Sequence, residues 1–123
     1  MKSRIPSFKD LEVWSKAMTL VTRVYEITET YPDRERFGLT AETRKSAQSV
    51  PSNIAEGKMR TSPADFRRHV SIALGSLGET QTQLLMAGRL RYLADAVVEA
   101  LEKDIEEIGR MLRGLERALV PMA

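Results

Sequence analysis

Ser49-Val50-Pro51-Ser52-Asn53-Ile54-Ala55-Glu56-Gly57 puts a proline and several small polar residues where the flanking sequence asks for a helix. Ala47, Val50 and Ile54 are spaced three and four apart, the repeat of one helical face. A proline inside a helix leaves the carbonyl four residues back, here that of Ala47, without its donor. The stretch therefore predicts a kinked helix. Gly57 suits the position just past a helix end. Toward the N-terminus, Thr40 suits an N-cap and Glu42 the first turn, which bounds this second helix at about 40–56.

The same repeat runs through the flanking segments. From Phe8 to Thr30, Leu11, Trp14, Met18, Val21 and Tyr25 form one apolar series. Val13, Ala17, Leu20, Val24 and Ile27 form a second beside it. Together they cover about half the helix circumference, wider than one amphipathic stripe, and point to burial in an oligomer. Tyr31-Pro32-Asp33 ends the helix. In the charged connection that follows, Phe37 and Leu39 are expected to face inward.

Ser62-Pro63-Ala64-Asp65 opens a third helix, with Ser62 as cap, Pro63 at the first position and Asp65 at the capping-box position. The helix is expected to reach about Arg89, with Phe66, Val70, Ala73, Leu77, Gln81 and Leu84 on its inner face. Ser71, Gly75, Gly78 and Thr82 make a separate stripe of small residues. Each helical glycine costs about 1 kcal/mol against alanine, and close approach of another backbone is the expected compensation.

Asp95 is expected to cap a fourth helix to about Leu119, where Val98, Leu101, Ile105, Ile108, Leu112, Leu115 and Leu119 keep heptad spacing. Its acids gather between Asp95 and Glu107, and Arg110, Arg113 and Arg117 lie near its end. That order complements the helix dipole and suggests Glu99–Lys103 and Glu106–Arg110 pairs. Pro121 closes the segment. With no strand pattern, residues 1–123 read as one all-α domain, an antiparallel up-and-down four-helix bundle. Helices one, three and four should be about 35–40 Å long, and the second shorter.

Composition limits the chemistry. Lys plus Arg number 19 against 17 Asp plus Glu, a net charge of +2, so a nucleic-acid partner is permitted without being demanded. The chain has no cysteine, which excludes disulfides, thiolate metal sites and a cysteine nucleophile. Met1 to Asp10 lacks an apolar signal region and no apolar run is long enough to span a membrane, which suggests a cytoplasmic protein without a membrane partner. Aromatic residues make up 6%, leaving few platforms for stacking bases.

Several ordered motifs carry a resemblance: Phe8-Lys9-Asp10-Leu11-Glu12-Val13-Trp14, Tyr31-Pro32, Glu35-Arg36-Phe37-Gly38-Leu39-Thr40, the opening stretch, Ala73-Leu74-Gly75-Ser76-Leu77-Gly78-Glu79 and Gly109-Arg110-Met111-Leu112-Arg113-Gly114-Leu115. Over nearly its whole length the chain resembles the four-helix-bundle proteins encoded in intervening sequences of 23S ribosomal RNA genes. The resemblance implies a homo-oligomeric bundle, with a pentamer expected, and no established enzymatic activity or agreed catalytic residues. A related group resembles the accessory protein of diversity-generating retroelements. That likeness implies RNA or DNA, and a reverse-transcriptase-like or ribonucleoprotein partner.

Two groups of residues stand out as candidate sites. Ser52, Asn53, Glu56, Ser76 and Glu79 form a polar cluster that reads either as a ligand or carboxylate site or as internal bonding. In the second reading Asn53 or Ser52 satisfies what Pro51 frees, and Glu56 and Glu79 pair with Arg44 or Arg60. Lys58, Arg60, Arg67 and Arg68, joined by Arg44 and Lys45, make a basic surface able to contact phosphate, or else a solvated helix end. His69 has no second imidazole or cysteine nearby, so neither a metal site nor a catalytic base is expected, and no cofactor is implied. The reading is a non-enzymatic, self-assembling bundle presenting basic surface to RNA, DNA or a nucleoprotein. The alternatives are a protein-only scaffold, or a ligand or enzyme site around Asn53 and Glu56.

Overall fold

The computed structural model describes residues 7–120, which form four α-helices and no strand among the described residues. Pro121 lies outside them. Ser7 opens the described chain by capping a 3₁₀ turn, Phe8–Asp10: its hydroxyl accepts the Lys9 N–H and its own N–H donates to Asp10. Leu11 is extended (ψ 121), so α1 starts late and spans Glu12–Thr28. At 17 residues it is about 25 Å long and the shortest of the four, against the expected 35–40 Å. Of its two apolar series, Val13, Ala17, Leu20 and Val24 are buried, Trp14 and Val21 are half-buried, and Met18 and Tyr25 are exposed.

The connection to α2 departs from expectation. Phe37 is 88% exposed, not turned inward. The cause is Glu35, whose Oε1 accepts the Leu39 N–H at 3.1 Å and whose Oε2 accepts the Tyr92 hydroxyl at 2.8 Å. Those two bonds, the backbone one foremost, hold the Glu35 carboxyl below the usual carboxylate range. The side chain thereby caps α2 and ties its entry to the connection after α3. Helix α2 spans Leu39–Met59 with Gly38 at its N-cap, so Thr40 lies buried inside the helix and does not cap it.

Pro51 is buried within α2, and the helix continues past Gly57. That glycine is not a stop. A Cβ placed there would stand 2.8 Å from His69 Cβ, 2.9 Å from Phe66 Cδ1 and 3.2 Å from the Phe66 carbonyl oxygen. Absence of a side chain is what lets α2 and α3 approach.

Helix α3, Pro63–Arg89, begins as expected: the Ser62 hydroxyl accepts the Asp65 N–H at 3.1 Å and Pro63 occupies the first turn. It buries Val70, Ala73, Leu77, Leu84 and Ala87. The small-residue stripe faces outward, because a Cβ at Gly75 or Gly78 would meet nothing within 4 Å. No described backbone supplies the expected close approach. The helix ends with Arg91 in the left-handed region (φ 65), while Tyr92 N–H bonds the Ala87 carbonyl at 2.9 Å and Arg91 N–H that of Gly88 at 3.1 Å. This is a Schellman ending with arginine where glycine is usual.

Helix α4 spans Asp95–Ala118 and buries Val98, Leu101, Ile105, Ile108 and Leu112. Its N-cap is Ala94, which makes no side-chain bond, so Asp95 sits in the first turn and does not cap. The Glu99–Lys103 and Glu106–Arg110 pairs do not form. The ion pair that α4 makes among the described residues runs instead from Glu107 to Lys16 of α1, at 3.2 Å.

The buried faces of all four helices meet in one apolar core. Packing is most extensive between α2 and α3 and thinnest between α1 and α4. No helix among the described residues is long and apolar enough to cross a membrane.

Candidate functional site

The α2–α3 interface carries a row of polar side chains where an apolar seam would ordinarily run. Ser46 bonds Thr80 at 2.8 Å and donates to Gln83 at 2.7 Å; Ser49 bonds Ser76 at 2.7 Å; Asn53 meets His69 at 3.0 Å. Residue numbers rise along α2 as they fall along α3. Such a row tolerates burial because its members satisfy one another.

Asn53 closes the row toward the end of α2. Its Nδ2 donates to the Ser49 carbonyl at 2.9 Å and to Ser49 Oγ at 3.0 Å, which leaves Oδ1 to accept from His69 Nδ1. An acceptor facing Nδ1 places a proton on that nitrogen, and the ring is 4% exposed. Its Nε2 lies 3.7 Å from Glu56 Oε2. Glu56 in turn accepts from Arg60 at 2.6 Å. That bond first, then the charge of His69, holds the Glu56 carboxyl below the usual carboxylate range.

The expected polar cluster is thus assembled in part. Asn53, Glu56 and Ser76 join the row. Ser52 and Glu79 are exposed and have no hydrogen-bond or ion-pair partner among the described residues. Neither Ser52 nor Asn53 reaches the Ala47 carbonyl that Pro51 leaves free. Glu56 pairs with Arg60, and Glu79 with neither arginine. The row's other members, Ser46, Ser49, His69, Thr80 and Gln83, were not singled out as a site in the sequence. Their small or amide side chains recur at helical spacing among apolar neighbours, and that polar repeat is the signal available. None of the main surface clefts is lined by Asn53, Glu56, His69 or Glu79. The described residues hold no group of three or more His, Asp or Glu placed to bind a metal ion.

The basic candidates divide. Lys58, Arg60, Arg67 and Arg68 gather where α2 ends and α3 begins. Arg67 Nε donates to the Glu116 carbonyl at 3.3 Å, which brings the last turns of α4, with Arg113 and Arg117, to the same end. Among the described residues Lys58, Arg67, Arg68, Arg113 and Arg117 have no carboxylate within 4.0 Å, whereas Arg60 is paired. Arg44 and Lys45 lie about 20 Å away along α2. Arg44 is half-buried there as a clamp: its guanidinium sits 4.4 Å from the Tyr25 ring centre, Nε donates to Thr28 Oγ1 at 2.8 Å, and Nη2 lies 3.6 Å from Glu29.

A family model described as 23S rRNA-intervening sequence protein matches residues 9–114. The chain belongs to that family. The family match takes in α1 to α3, α4 as far as Gly114 and the polar row; at the basic end it includes Lys58, Arg67, Arg68 and Arg113 but not Arg117. A crystal structure with a similar fold is that of a protein of unknown function from the S23 ribosomal protein family of Bacteroides thetaiotaomicron VPI-5482, with a TM-score of 0.79 and 24% identity. It covers 85% of this chain and 95% of its own. No curated protein matches the chain.

Proposed function

We propose that this member of the 23S rRNA-intervening sequence family is a non-enzymatic, self-assembling antiparallel bundle that presents a basic surface to nucleic acid. The observation that carries this reading is the convergence of Lys58, Arg67 and Arg68 with Arg113 and Arg117 at one end, without carboxylates in ion-pair reach. Cations held on helices without a carboxylate partner suit phosphate contacts, which dominate nucleic-acid affinity. No groove-reading motif accompanies them, so binding of this kind reads charge and shape.

Self-assembly is favoured by the outer side of α3. Between Val70 and Gly88 the one charged side chain is Glu79, and Gly75, Gly78 and Ile72 all face outward. A small, nearly uncharged helical face loses little on desolvation and admits a second helix closely. A homo-pentamer is the assembly we propose, and repetition of the basic end would multiply a modest charge through avidity. The saturated bonding of Asn53, away from any main cleft, supports a structural polar row over a reactive one.

The test is a pull-down of the tagged chain with and without nuclease, alongside light scattering of the purified protein. Co-purifying RNA and a mass of several protomers are expected. A protein partner that survives nuclease, with no RNA bound, would favour the protein-only scaffold. A stable monomer at micromolar concentration would refute self-assembly.

A further inference from the structure

A second cationic region lies at the other end of α2. Tyr25, Arg36, Phe37, Thr40, Arg44 and Lys45 are among the residues lining a cleft of about 430 Å³. Three of these carry positive charge and none is acidic. Arg36 and Lys45 have no carboxylate within 4.0 Å among the described residues.

Phe37 is the unusual element. Its ring is 88% exposed, yet the turn that bears it is held firmly. Glu35 fastens that turn to Leu39 and Tyr92, and the Gly38 N–H bonds the Glu35 carbonyl at 3.0 Å. Arg36 lies 5.6 Å from the Phe37 ring centre, and Arg44 lies over Tyr25 on the cleft's far wall. An aromatic fixed outward forgoes the gain of burial. Aromatic faces flanked by free cations are the pattern that accepts unpaired nucleotides, base against ring and phosphate against charge.

We propose that this cleft is a stacking subsite for an unpaired nucleotide of a single strand, with the base on Phe37 and the phosphate between Arg36 and Lys45. The inference rests on the nucleic-acid reading above and adds to it a preference for unpaired segments. Stacking on an exposed ring needs no sequence code, because every base offers a π face. RNA and DNA share this chemistry.

The test compares native protein with Phe37→Ala and Phe37→Trp, using labelled oligouridine RNA, the matching oligodeoxythymidine and duplex RNA as probes. Phe37→Ala is expected to bind the single strands about tenfold more weakly and the duplex unchanged, and Phe37→Trp to bind as native. A larger loss on the ribo-oligomer would assign the subsite to RNA, and an equal loss to either strand. Unchanged single-strand affinity in Phe37→Ala, or an equal loss on duplex, would overturn the proposal. So would a fall in assembly mass in that variant, which would make Phe37 a contact between copies. Duplex binding that depends on Lys58, Arg67 and Arg68, with no single-strand binding, would remove the subsite and leave the basic surface standing. No binding to any probe would remove both.

Discussion

Gly57→Ala tests how α2 meets α3. In an unobstructed helix the change would add about 1 kcal/mol of stability through propensity. Here the new Cβ would stand 2.8 Å from His69 Cβ and 3.2 Å from the Phe66 carbonyl oxygen. Both atoms belong to or border the main chain of α3, so no rotamer change clears them. The helices must separate by several tenths of an ångström, and the Asn53–His69 bond one turn away must lengthen with them. Overpacking of this kind costs about 1–3 kcal/mol, enough to exceed the propensity gain. A net loss of up to about 2 kcal/mol is expected from urea unfolding at fixed protein concentration. Gly114→Ala in α4, whose Cβ would meet only Arg117 Nη2 at 3.8 Å and which lies off the α3 outer face, supplies the comparison and should gain up to about 1 kcal/mol. Gly57→Ala more stable than native protein by the full propensity gain of about 1 kcal/mol would refute the close approach.

Three further outcomes follow from the bonding. Asn53→Ala should lose about 1–3 kcal/mol in urea, because buried His69 keeps a donor with no acceptor; Ser52→Ala, at an exposed position, should change stability by less than about 0.5 kcal/mol. Tyr31 is buried with an unpartnered hydroxyl, and burial pushes its phenol up to about 12. Its folded value exceeds the ordinary 10.0, so its contribution is whole below pH 10 and is lost as pH rises toward 12. Tyr31→Phe should remove that alkaline loss and be neutral or slightly stabilising at pH 7, as followed by thermal unfolding across pH. Arg91→Gly should relieve the left-handed backbone and raise stability by up to about 1 kcal/mol, read as a higher melting temperature.

The sequence was most legible where the signal is local. Ser62-Pro63 marks the start of α3 because cap and first turn are adjacent in the chain, and the heptad of α4 names its buried face. Gly57 reads as a helix stop because a stop and a close approach look alike in sequence until the partner helix is known. Thr40 suits a cap because its side chain is a good acceptor; Glu35, reaching forward from the preceding turn, takes that role. The same anchor turns Phe37 outward, against the usual preference of a phenylalanine. At the candidate site, Asn53 and Glu56 stood out beside Pro51, but His69 looked solitary because its partners lie on another helix. The basic end was visible as Lys58–Arg68. Its extension to Arg113 and Arg117 depends on tertiary packing, as does the distance that separates Arg44 and Lys45 from it.

A salt titration tests the basic end most directly. Affinity of the native protein and of a Lys58→Gln, Arg67→Gln, Arg68→Gln variant for one structured RNA would be measured across salt concentrations. If these cations meet phosphates, log affinity falls linearly with log salt, and their removal weakens binding and flattens the slope by about 2–3 for each bound chain. Identical slopes for the two proteins, or an affinity that salt does not change, would contradict the account.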